Sequence, residues 1–281
     1  RLAGPLRERL AAAVPAPLPA EVSRPSPAPL VATRGLHVRY PATWAVRGVD
    51  LEVCAGEVVS VMGRNGAGKS SLLWALAGAG PRAAGSVQLG ADGADPARLG
   101  PRESRRRIAL VPQEPRDLLY LDTVEAECME SDEQADARPG TTASLLRGFA
   151  RLDGAAHPRD LSEGERLSLV LAVQLAANPD VLLLDEPTRG LDRTAKSHLA
   201  TILGTHAAGG GAVILSSHDV EFVAECATRV VVLAGGEVVA DGTAREVLVA
   251  SPTFAPQVAK VLHPLELLTV AAVRAALAVT A

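Results

Sequence analysis

The chain has 281 residues, of which 48% are hydrophobic, 21% charged and only 2% aromatic, and its formal net charge at pH 7 is −4. This length and composition predict one large globular domain, or one domain with a small attached lobe, whose core is built from Ala, Val and Leu. The slightly negative charge and the scarcity of aromatic rings argue against a nucleic-acid-binding surface, so no nucleic-acid partner is expected.

The N-terminal segment, residues 1–30, carries seven prolines, several of them two positions apart. Prolines at this spacing do not fit the interior of a helix, so we predict an extended linker or a disordered tail. Residue 1 is arginine rather than an initiator methionine, and no signal peptide follows, so we expect a fragment or the second half of a longer protein. Residues 31–250 are predicted to form the ordered domain, with a helical subdomain at about 115–175, and residues 251–281 a C-terminal tail.

Strands and helices alternate after the proline-rich segment, which predicts an α/β fold with a mainly parallel sheet. The basic residues 105–107 are expected to lie in a solvated loop. Gly235 and Gly236 predict a hairpin turn. The predicted strands, rich in Val and bounded by turn residues, are 37–40, 46–54, 57–62, 86–89, 108–112, 181–184, 212–217, 230–233 and 237–240. The predicted helices are 69–78, 123–136, 142–152, 162–177, 194–205 and 220–227.

Cys54, Cys128 and Cys226 lie far apart and match neither a disulfide framework nor a metal-ligand spacing, which favours a reducing compartment. The apolar runs are shorter than the roughly 18–20 residues that a membrane-spanning helix needs. The sequence therefore predicts no transmembrane segment.

A phosphate-binding loop is predicted at residues 63–70, Gly-Arg-Asn-Gly-Ala-Gly-Lys-Ser, between a predicted strand and a predicted helix. Glycines let several backbone N–H groups converge on one phosphate, and the start of the helix adds positive potential. We predict that Lys69 reaches the β- and γ-phosphates of ATP and that the Ser70 hydroxyl ligates Mg²⁺. The other predicted contacts to the nucleotide in this segment are Gly63, Asn65, Gly66, Gly68 and Ser71.

Two acids, Asp185 and Glu186, follow the apolar run 181–184. The carboxyl ends of strands in an open α/β sheet are where ligands bind. We predict that Asp185 holds Mg²⁺, through water, and that Glu186 acts as the general base on the attacking water. A solvent-exposed acidic turn before Pro187 is the alternative interpretation.

Residues 161–166, Leu-Ser-Glu-Gly-Glu-Arg, open a predicted helix between these two motifs. Here the chain resembles the ATP-binding-cassette (ABC) family, whose signature sequence occupies this place and separates it from other P-loop proteins. Four further residues match family elements in the family's order: the adenine-stacking aromatic, the Q-loop glutamine, the D-loop aspartate and the switch histidine are Tyr40, Gln113, Asp192 and His218. The resemblance covers residues 34–245. Taken singly, each of these motifs has an ordinary structural explanation; Ser162 and Glu165 of the signature, for example, also fit a helix-capping box.

The resemblance implies a RecA-like P-loop NTPase core with a parallel sheet, a small antiparallel β lobe and a helical signature subdomain. It also implies that ATP is held between two cassettes, with Ser162 and Gly164 of one presented to the γ-phosphate bound by the other. Gln113 would ligate Mg²⁺ and link the nucleotide state to a membrane partner. Asp192 would organise the dimer interface, and His218 would contact the γ-phosphate and support catalysis.

The signature departs from the family pattern at two positions. The family usually has glycine where this chain has Glu163, and glutamine is common where it has Glu165. A carboxylate near a triphosphate is unfavourable unless it points away. We therefore predict that Glu163 faces solvent or Arg166 and that Gly164 keeps the close approach.

Residues 112–120 and 251–258 resemble cassettes of the energy-coupling-factor (ECF) importers. This implies uptake of a vitamin or a transition-metal ion by a peripheral subunit at the cytoplasmic face of the cell membrane. The implied partners are a second cassette, identical or fused or paired, a transmembrane coupling protein and a membrane substrate-binding component. The alternative is a soluble ABC ATPase acting on ribosomes or DNA; DNA-repair relatives carry a long coiled coil before the signature, and no heptad run stands between Gly68 and Ser162 here.

Overall fold

The computed structural model describes residues 28–251 and 253–279. The prediction of a linker or tail over residues 1–30 therefore lies almost wholly outside the described residues. Within them, the strands form two sheets that share one apolar core. The strands are β1 (Pro29–Tyr40), β2 (Thr43–Cys54), β3 (Val58–Met62), β4 (Arg82–Leu89), β5 (Ile108–Val111), β6 (Val181–Asp185), β7 (Ala212–Ser216), β8 (Arg229–Ala234) and β9 (Glu237–Thr243).

The larger sheet has the order β5-β6-β7-β3-β8-β9, and only its last pair, β8 with β9, is antiparallel. Strands β3, β6 and β7 are buried along their whole length, as expected for parallel strands covered on both faces. Their carboxyl ends meet at one edge, where the P-loop, the acid pair and His218 follow. The smaller, antiparallel sheet has the order β2-β1-β4.

The helices cover both faces of the larger sheet and build one separate subdomain. Helices α3, α4 and α5 pack around the small core of that subdomain, which includes Val124, Leu146 and Leu169. The helices are α1 (Lys69–Leu76), α2 (Pro101–Arg107), α3 (Val124–Ala135), α4 (Thr141–Phe149), α5 (Glu163–Leu175), α6 (Arg193–Ala208), α7 (Val220–Cys226), α8 (Ala244–Ala250), α9 (Gln257–Leu262) and α10 (Val270–Val279).

The α/β fold with a parallel core and a small antiparallel lobe is confirmed, but the expected solvated loop at 105–107 is wrong. These residues end helix α2, which begins with Pro101 at its first position and has Glu103 in its first turn. Proline at the start and arginines in the last turn suit the helix dipole, although no apolar stripe marks the helix. Arg105 remains exposed but donates to Gln134 Oε1 in α3 at 2.6 Å, whereas Arg107 contacts Asp92 and Asp180.

Several element bounds also differ from the expected ones. Strand β1 begins at Pro29 rather than at residue 37, and helices α8, α9 and α10 were not predicted. Helix α8 has seven residues, about two turns, and begins with a capping box: the side chain of Thr243 accepts from Glu246 N–H, and Glu246 accepts from Thr243 N–H. No helix within the described ranges is both long and apolar enough to cross a bilayer.

Candidate active site

The P-loop is pressed against strands on both sides, which explains two of its glycines. Gly63 has a φ of 147°, and a Cβ there would lie 2.3 Å from Leu233 O in β8. Gly68, the N-cap of α1, has a φ of 102°, and a Cβ there would lie 2.1 Å from Ala45 O in β2. Any side chain would force the backbone apart at either position, so glycine is required.

Lys69 is buried, with 7% of its surface exposed, and its ammonium group is already partnered. Nζ donates to Gly63 O at 3.0 Å and lies 3.7 Å from Glu186 Oε1. The ammonium group of Lys69, which is predicted to bind the terminal phosphates, therefore lies next to the Glu186 carboxylate. An incoming phosphate would compete with Glu186 for it.

Asp185 is bound by two hydroxyls at the carboxyl edge of the sheet. Ser70 Oγ donates to Asp185 Oδ1 at 3.1 Å, and Ser216 Oγ donates to the same oxygen at 2.6 Å. Ser216 Oγ also accepts from Glu186 N–H at 2.9 Å, so it orients both acids. The sequence prediction missed Ser216; the available signal was a serine ending the apolar strand β7 directly before a polar turn.

Oxygen donors of this kind fit Mg²⁺, which usually takes one or two protein oxygens and completes its shell with phosphates and water. Ser70 and Asp185 supply a hydroxyl and a carboxylate side by side. Across residues 28–251 and 253–279, no cluster of three or more His, Cys, Asp or Glu side chains is arranged to hold a metal ion. The donor set therefore suits a metal that arrives with a nucleotide rather than a closed protein cage.

Glu186 sits in a strained turn and contacts His218. Its φ is 49°, a left-handed value that non-glycine residues adopt rarely. Its Oε2 lies 2.8 Å from His218 Nδ1, within hydrogen-bonding distance. Only 12% of the Glu186 side chain is exposed, compared with 71% for His218. Strain of this kind is common at functional sites, where the surrounding structure holds it in place.

One cleft of about 670 Å³ gathers most of the predicted nucleotide-site residues. Tyr40, the last residue of β1, lines it together with Gln113, which follows β5. Arg189 also lines the cleft and contacts Glu114, the neighbour of Gln113, at 3.1 Å. The remaining lining residues are Thr43, Ala45, Asn65, Gly66, Ala67, Gly68, Lys69, Ser70, Ser71, Glu186 and His218.

The predicted signature and D-loop residues lie in a different cleft, of about 470 Å³, between α5 and α6. Ser162, Gly164 and Asp192 all line it, and none of them lines the first cleft. A Cβ on Gly164 would lie 3.4 Å from Ala195 Cβ in α6. Within one chain, the structure thus brings the P-loop and the acid pair together, whereas Ser162 and Gly164 of the signature line a separate cleft. Glu163 of the signature borders a smaller cleft that Glu186 also lines.

The orientation predicted for Glu163 is confirmed. Its carboxylate accepts from Arg166 Nη1 at 2.8 Å, and 56% of its side chain is exposed. Glu165 completes the helix-capping box, because its Oε2 accepts from both the N–H and the hydroxyl of Ser162. These hydrogen bonds lower the pKa of Glu165. Glu163 and Glu165 are therefore both hydrogen-bonded to residues at the start of α5.

Comparison with known proteins agrees with this geometry. The ABC transporter family model matches residues 46–189, about half of the chain. A Streptomyces avermitilis protein, provisionally assigned as an ABC transporter ATP-binding protein, is 58% identical over 254 residues, which are 89% of this chain and 44% of that protein. The energy-coupling factor transporter ATP-binding protein EcfA of Methanothermobacter thermautotrophicus is 34% identical over 226 residues, 78% of this chain and 72% of EcfA.

Two solved structures share the fold. CbiO1 of Clostridium perfringens, described as part of the ABC transporter complex CbiONQ, has a TM-score of 0.67 and 26% identity, covering 78% of this chain and 90% of CbiO1. A dimeric ATP-binding cassette in a post-hydrolysis state with ADP and phosphate has a TM-score of 0.66 and 25% identity, covering 76% of this chain and 98% of that one.

The chain spans less than half the length of the Streptomyces relatives that it matches, 44% and 45%. The match to EcfA, in contrast, covers more than two thirds of both proteins at 34% identity. The family model, these relatives and the solved structures all identify an ABC cassette, as the P-loop and residues 161–166 predict. The chain belongs to the ABC transporter family and has the fold of that family's ATP-binding cassette.

Proposed function

We propose that the chain hydrolyses Mg²⁺-ATP between two cassettes and thereby drives an ECF-type importer of a vitamin or a metal ion. The observation that carries this proposal is the division of the predicted residues between two clefts. Lys69, Glu186 and His218 line one cleft, and Asp185 is hydrogen-bonded to Ser70 of the same cleft. Ser162, Gly164 and Asp192 line another. A site divided in this way is complete only when a second cassette presents its own signature to the bound nucleotide.

The residues of the first cleft have separate tasks in this proposal. The P-loop N–H groups and Lys69 hold the phosphates, and Tyr40 stacks on the adenine. Ser70, Asp185 and Gln113 would hold Mg²⁺, which would neutralise part of the charge of the phosphates. Glu186 takes a proton from the attacking water, and His218, 2.8 Å from its carboxylate, keeps it in position.

The second cassette supplies the remaining contacts. Ser162 is the N-cap of α5, so its hydroxyl and the Gly164 N–H lie at the positive end of that helix and suit the γ-phosphate of a facing protomer. Asp192, at the N-cap of α6, borders the same cleft and would organise the interface. The partner is a copy of this chain, a fused cassette or a different cassette.

The ECF assignment is supported by the similarity to EcfA and to CbiO1, which is described as part of a CbiONQ transporter complex. It is also supported by residues 112–120 and 251–258, which resemble that group. In this proposal a transmembrane coupling protein and a membrane substrate-binding component complete the transporter, and the cassette works at the cytoplasmic face of the membrane.

The proposal is tested with Glu186→Gln, which keeps the shape of the side chain but cannot accept the proton. We expect this variant to bind ATP in calorimetry and to form a stable ATP-dependent dimer in light scattering, while turnover falls by about 100-fold or more. Lys69→Ala is the matched control and should lose detectable ATP binding, because the phosphates lose their buried cation. Hydrolysis by Glu186→Gln at the parent rate would refute the general-base assignment, and a monomer at saturating ATP would refute the two-cassette site.

A further inference from the structure

The residue after His218 is held by a neighbouring helix. Asp219 is the N-cap of α7, and its Oδ1 accepts from Phe222 N–H at 3.1 Å. Its other oxygen, Oδ2, accepts from Lys196 Nζ at 2.6 Å. Only 19% of the Asp219 side chain and 31% of Lys196 are exposed, so the pair is better shielded than an ordinary surface ion pair. Burial opposes the charge on Asp219, but the hydrogen bonds from Lys196 and Phe222 outweigh it and lower the pKa.

Lys196 lies in the first turn of α6, directly after the loop that borders the second cleft. Asp192 caps this helix, because its Oδ1 accepts from Ala195 N–H at 2.8 Å and its carbonyl accepts from Lys196 N–H at 3.0 Å. A second contact joins the two helices: Ser197 Oγ donates to Glu225 Oε1 at 3.1 Å. A shift of the loop at Asp192 therefore moves Lys196, and Lys196 acts on α7.

His218 is the end point of this connection. Its side chain is 71% exposed, so burial does not fix it, and its position depends on the backbone on either side. Asp219 fixes that backbone on one side, while His218 Nδ1 lies 2.8 Å from Glu186 Oε2. Hydrogen bonds at Asp192, Asp219 and Glu186, linked through the Lys196 side chain and the backbone between His218 and Asp219, thus connect the loop beside the signature to the acid in the nucleotide cleft.

We propose that Lys196 and Asp219 form a positioning pair that transmits the position of the loop at Asp192 to His218. Neither residue lines the nucleotide cleft. A partner that docks on the second cleft adjusts the contact between His218 and Glu186 in the same chain through this pair. The inference rests on the proposed function in one respect, since the partner is the second cassette.

The kinetic test removes the ion pair and keeps the helix cap. Asp219→Asn retains an N-cap side chain for α7, and Lys196→Met retains the length of the stem. We expect either variant to lower kcat by about fivefold or more with little change in ATP affinity, and the double variant to be no worse than the single ones. Lys196→Arg should restore turnover, whereas Lys260→Met, a control for loss of an exposed lysine, should match the parent.

A second measurement needs neither ATP nor a partner. The imidazole NMR signals of His218, assigned with His218→Gln, are followed in the nucleotide-free protein. We expect Asp192→Ala to shift these signals in the parent and to leave them unchanged in the Lys196→Met background. If the parent hydrolyses no ATP, the proposed function is refuted, but the NMR measurement still shows whether the loop at Asp192 is coupled to His218. Parental kcat in Lys196→Met, or a His218 response to Asp192→Ala that persists in that background, would overturn the positioning role.

Discussion

The nucleotide cleft depends on a serine that only the folded chain reveals. Ser216 joins the two acids, since its hydroxyl donates to Asp185 Oδ1 at 2.6 Å and accepts from Glu186 N–H at 2.9 Å. It is fully buried, so no water replaces these bonds when the hydroxyl is removed. Residues that orient metal-binding and catalytic groups are often almost as important as the groups themselves.

We expect Ser216→Ala to lower kcat roughly tenfold and to raise the Mg²⁺ concentration needed for half-maximal turnover, because Asp185 loses its stronger hydroxyl partner. Steady-state hydrolysis measured across a MgCl₂ series checks this. Ser60→Ala is the matched control: Ser60 is also fully buried, but its hydroxyl has no hydrogen-bond partner within the described part of the chain. An unchanged Mg²⁺ dependence in Ser216→Ala would contradict the orienting role.

Glu163 is the residue at which the signature differs most from the family pattern, but its carboxylate points to Arg166 and solvent. We therefore expect Glu163→Gly to change ATP turnover by less than about threefold, since an exposed ion pair contributes little. Turnover assays of the parent and the variant at saturating ATP provide the measurement. A sharp rise in the variant's rate would show that the carboxylate opposes the triphosphate.

At the scale of elements, the turn between α3 and α4 is organised by one buried acid. Asp132 is only 6% exposed, and its two carboxylate oxygens accept from three donors across the turn. Gly140 N–H donates to Oδ2 at 2.6 Å, while Thr142 donates to Oδ1 from its N–H at 2.8 Å and from its hydroxyl at 2.6 Å. The start of α4, whose own N-cap is a glycine, thus takes its cap from α3.

We expect Asp132→Ala to lower the free energy of unfolding by about 3 kcal/mol, because three donors lose a charged acceptor in a buried turn. Urea unfolding of the parent and the variant measures the loss, and hydrogen exchange should show faster exchange at residues 140–149. Asp153→Ala is a control acid on the same subdomain, with one exposed hydrogen bond to Ala155 N–H. Equal stability losses in the two variants would contradict this account of the turn.

Elements with a periodic apolar pattern are predictable here, and the others are not. The strand and helix that flank the P-loop follow directly from Val-rich and Leu-rich runs. Helix α2 has no buried residue, so no periodic apolar pattern predicts it. Its Arg105 contacts Gln134 in α3, which is distant in sequence. Strand β1 begins before residue 37 because its first half pairs with β2 and β4, a long-range effect.

The same distinction applies to the site. Lys69 and Ser70 are predictable because a P-loop is contiguous in sequence, and Asp185 and Glu186 because they end an apolar strand. Ser216 could not be assigned this way, since its role arises only when β7 lies beside β6 in register, with Ser216 opposite Asp185. The separation of the signature from the P-loop was implied by the resemblance and is visible in the two clefts.

At the scale of the whole molecule, the reactivity of two thiols indicates whether the helical subdomain and the part of the chain around α7 are folded. Burial raises the pKa of Cys128, in the helical subdomain, to about 11, and that of Cys226, in α7, to about 12. The reactive thiolate is then roughly one part in a thousand or less at pH 8. Both thiols should therefore stay inert while the fold is closed.

We expect a Cys54→Ser variant, which keeps only these two thiols, to react with DTNB far more slowly in buffer than in guanidinium chloride. The ratio of the two rates, followed by absorbance, should exceed about 100 because each thiol must be exposed before it ionises. Raising the pH from 7 to 9 in buffer should increase the native rate, since both thiols are titrated towards the thiolate. A native rate close to that of the unfolded chain would contradict the raised pKa of both thiols.

The close approach of Gly63 to β8 and of Gly68 to β2 has a consequence for how the molecule can respond to ATP. One wall of the cleft is wedged between the backbones of two sheets, with no space for even a methyl group. Gln113 also lines the cleft, but it follows β5 in a turn, and its neighbour Glu114 pairs with the cleft residue Arg189 through exposed side chains. We therefore expect the phosphate-binding loop to keep its position when ATP binds, and any rearrangement of the cleft to occur in the turn at Gln113.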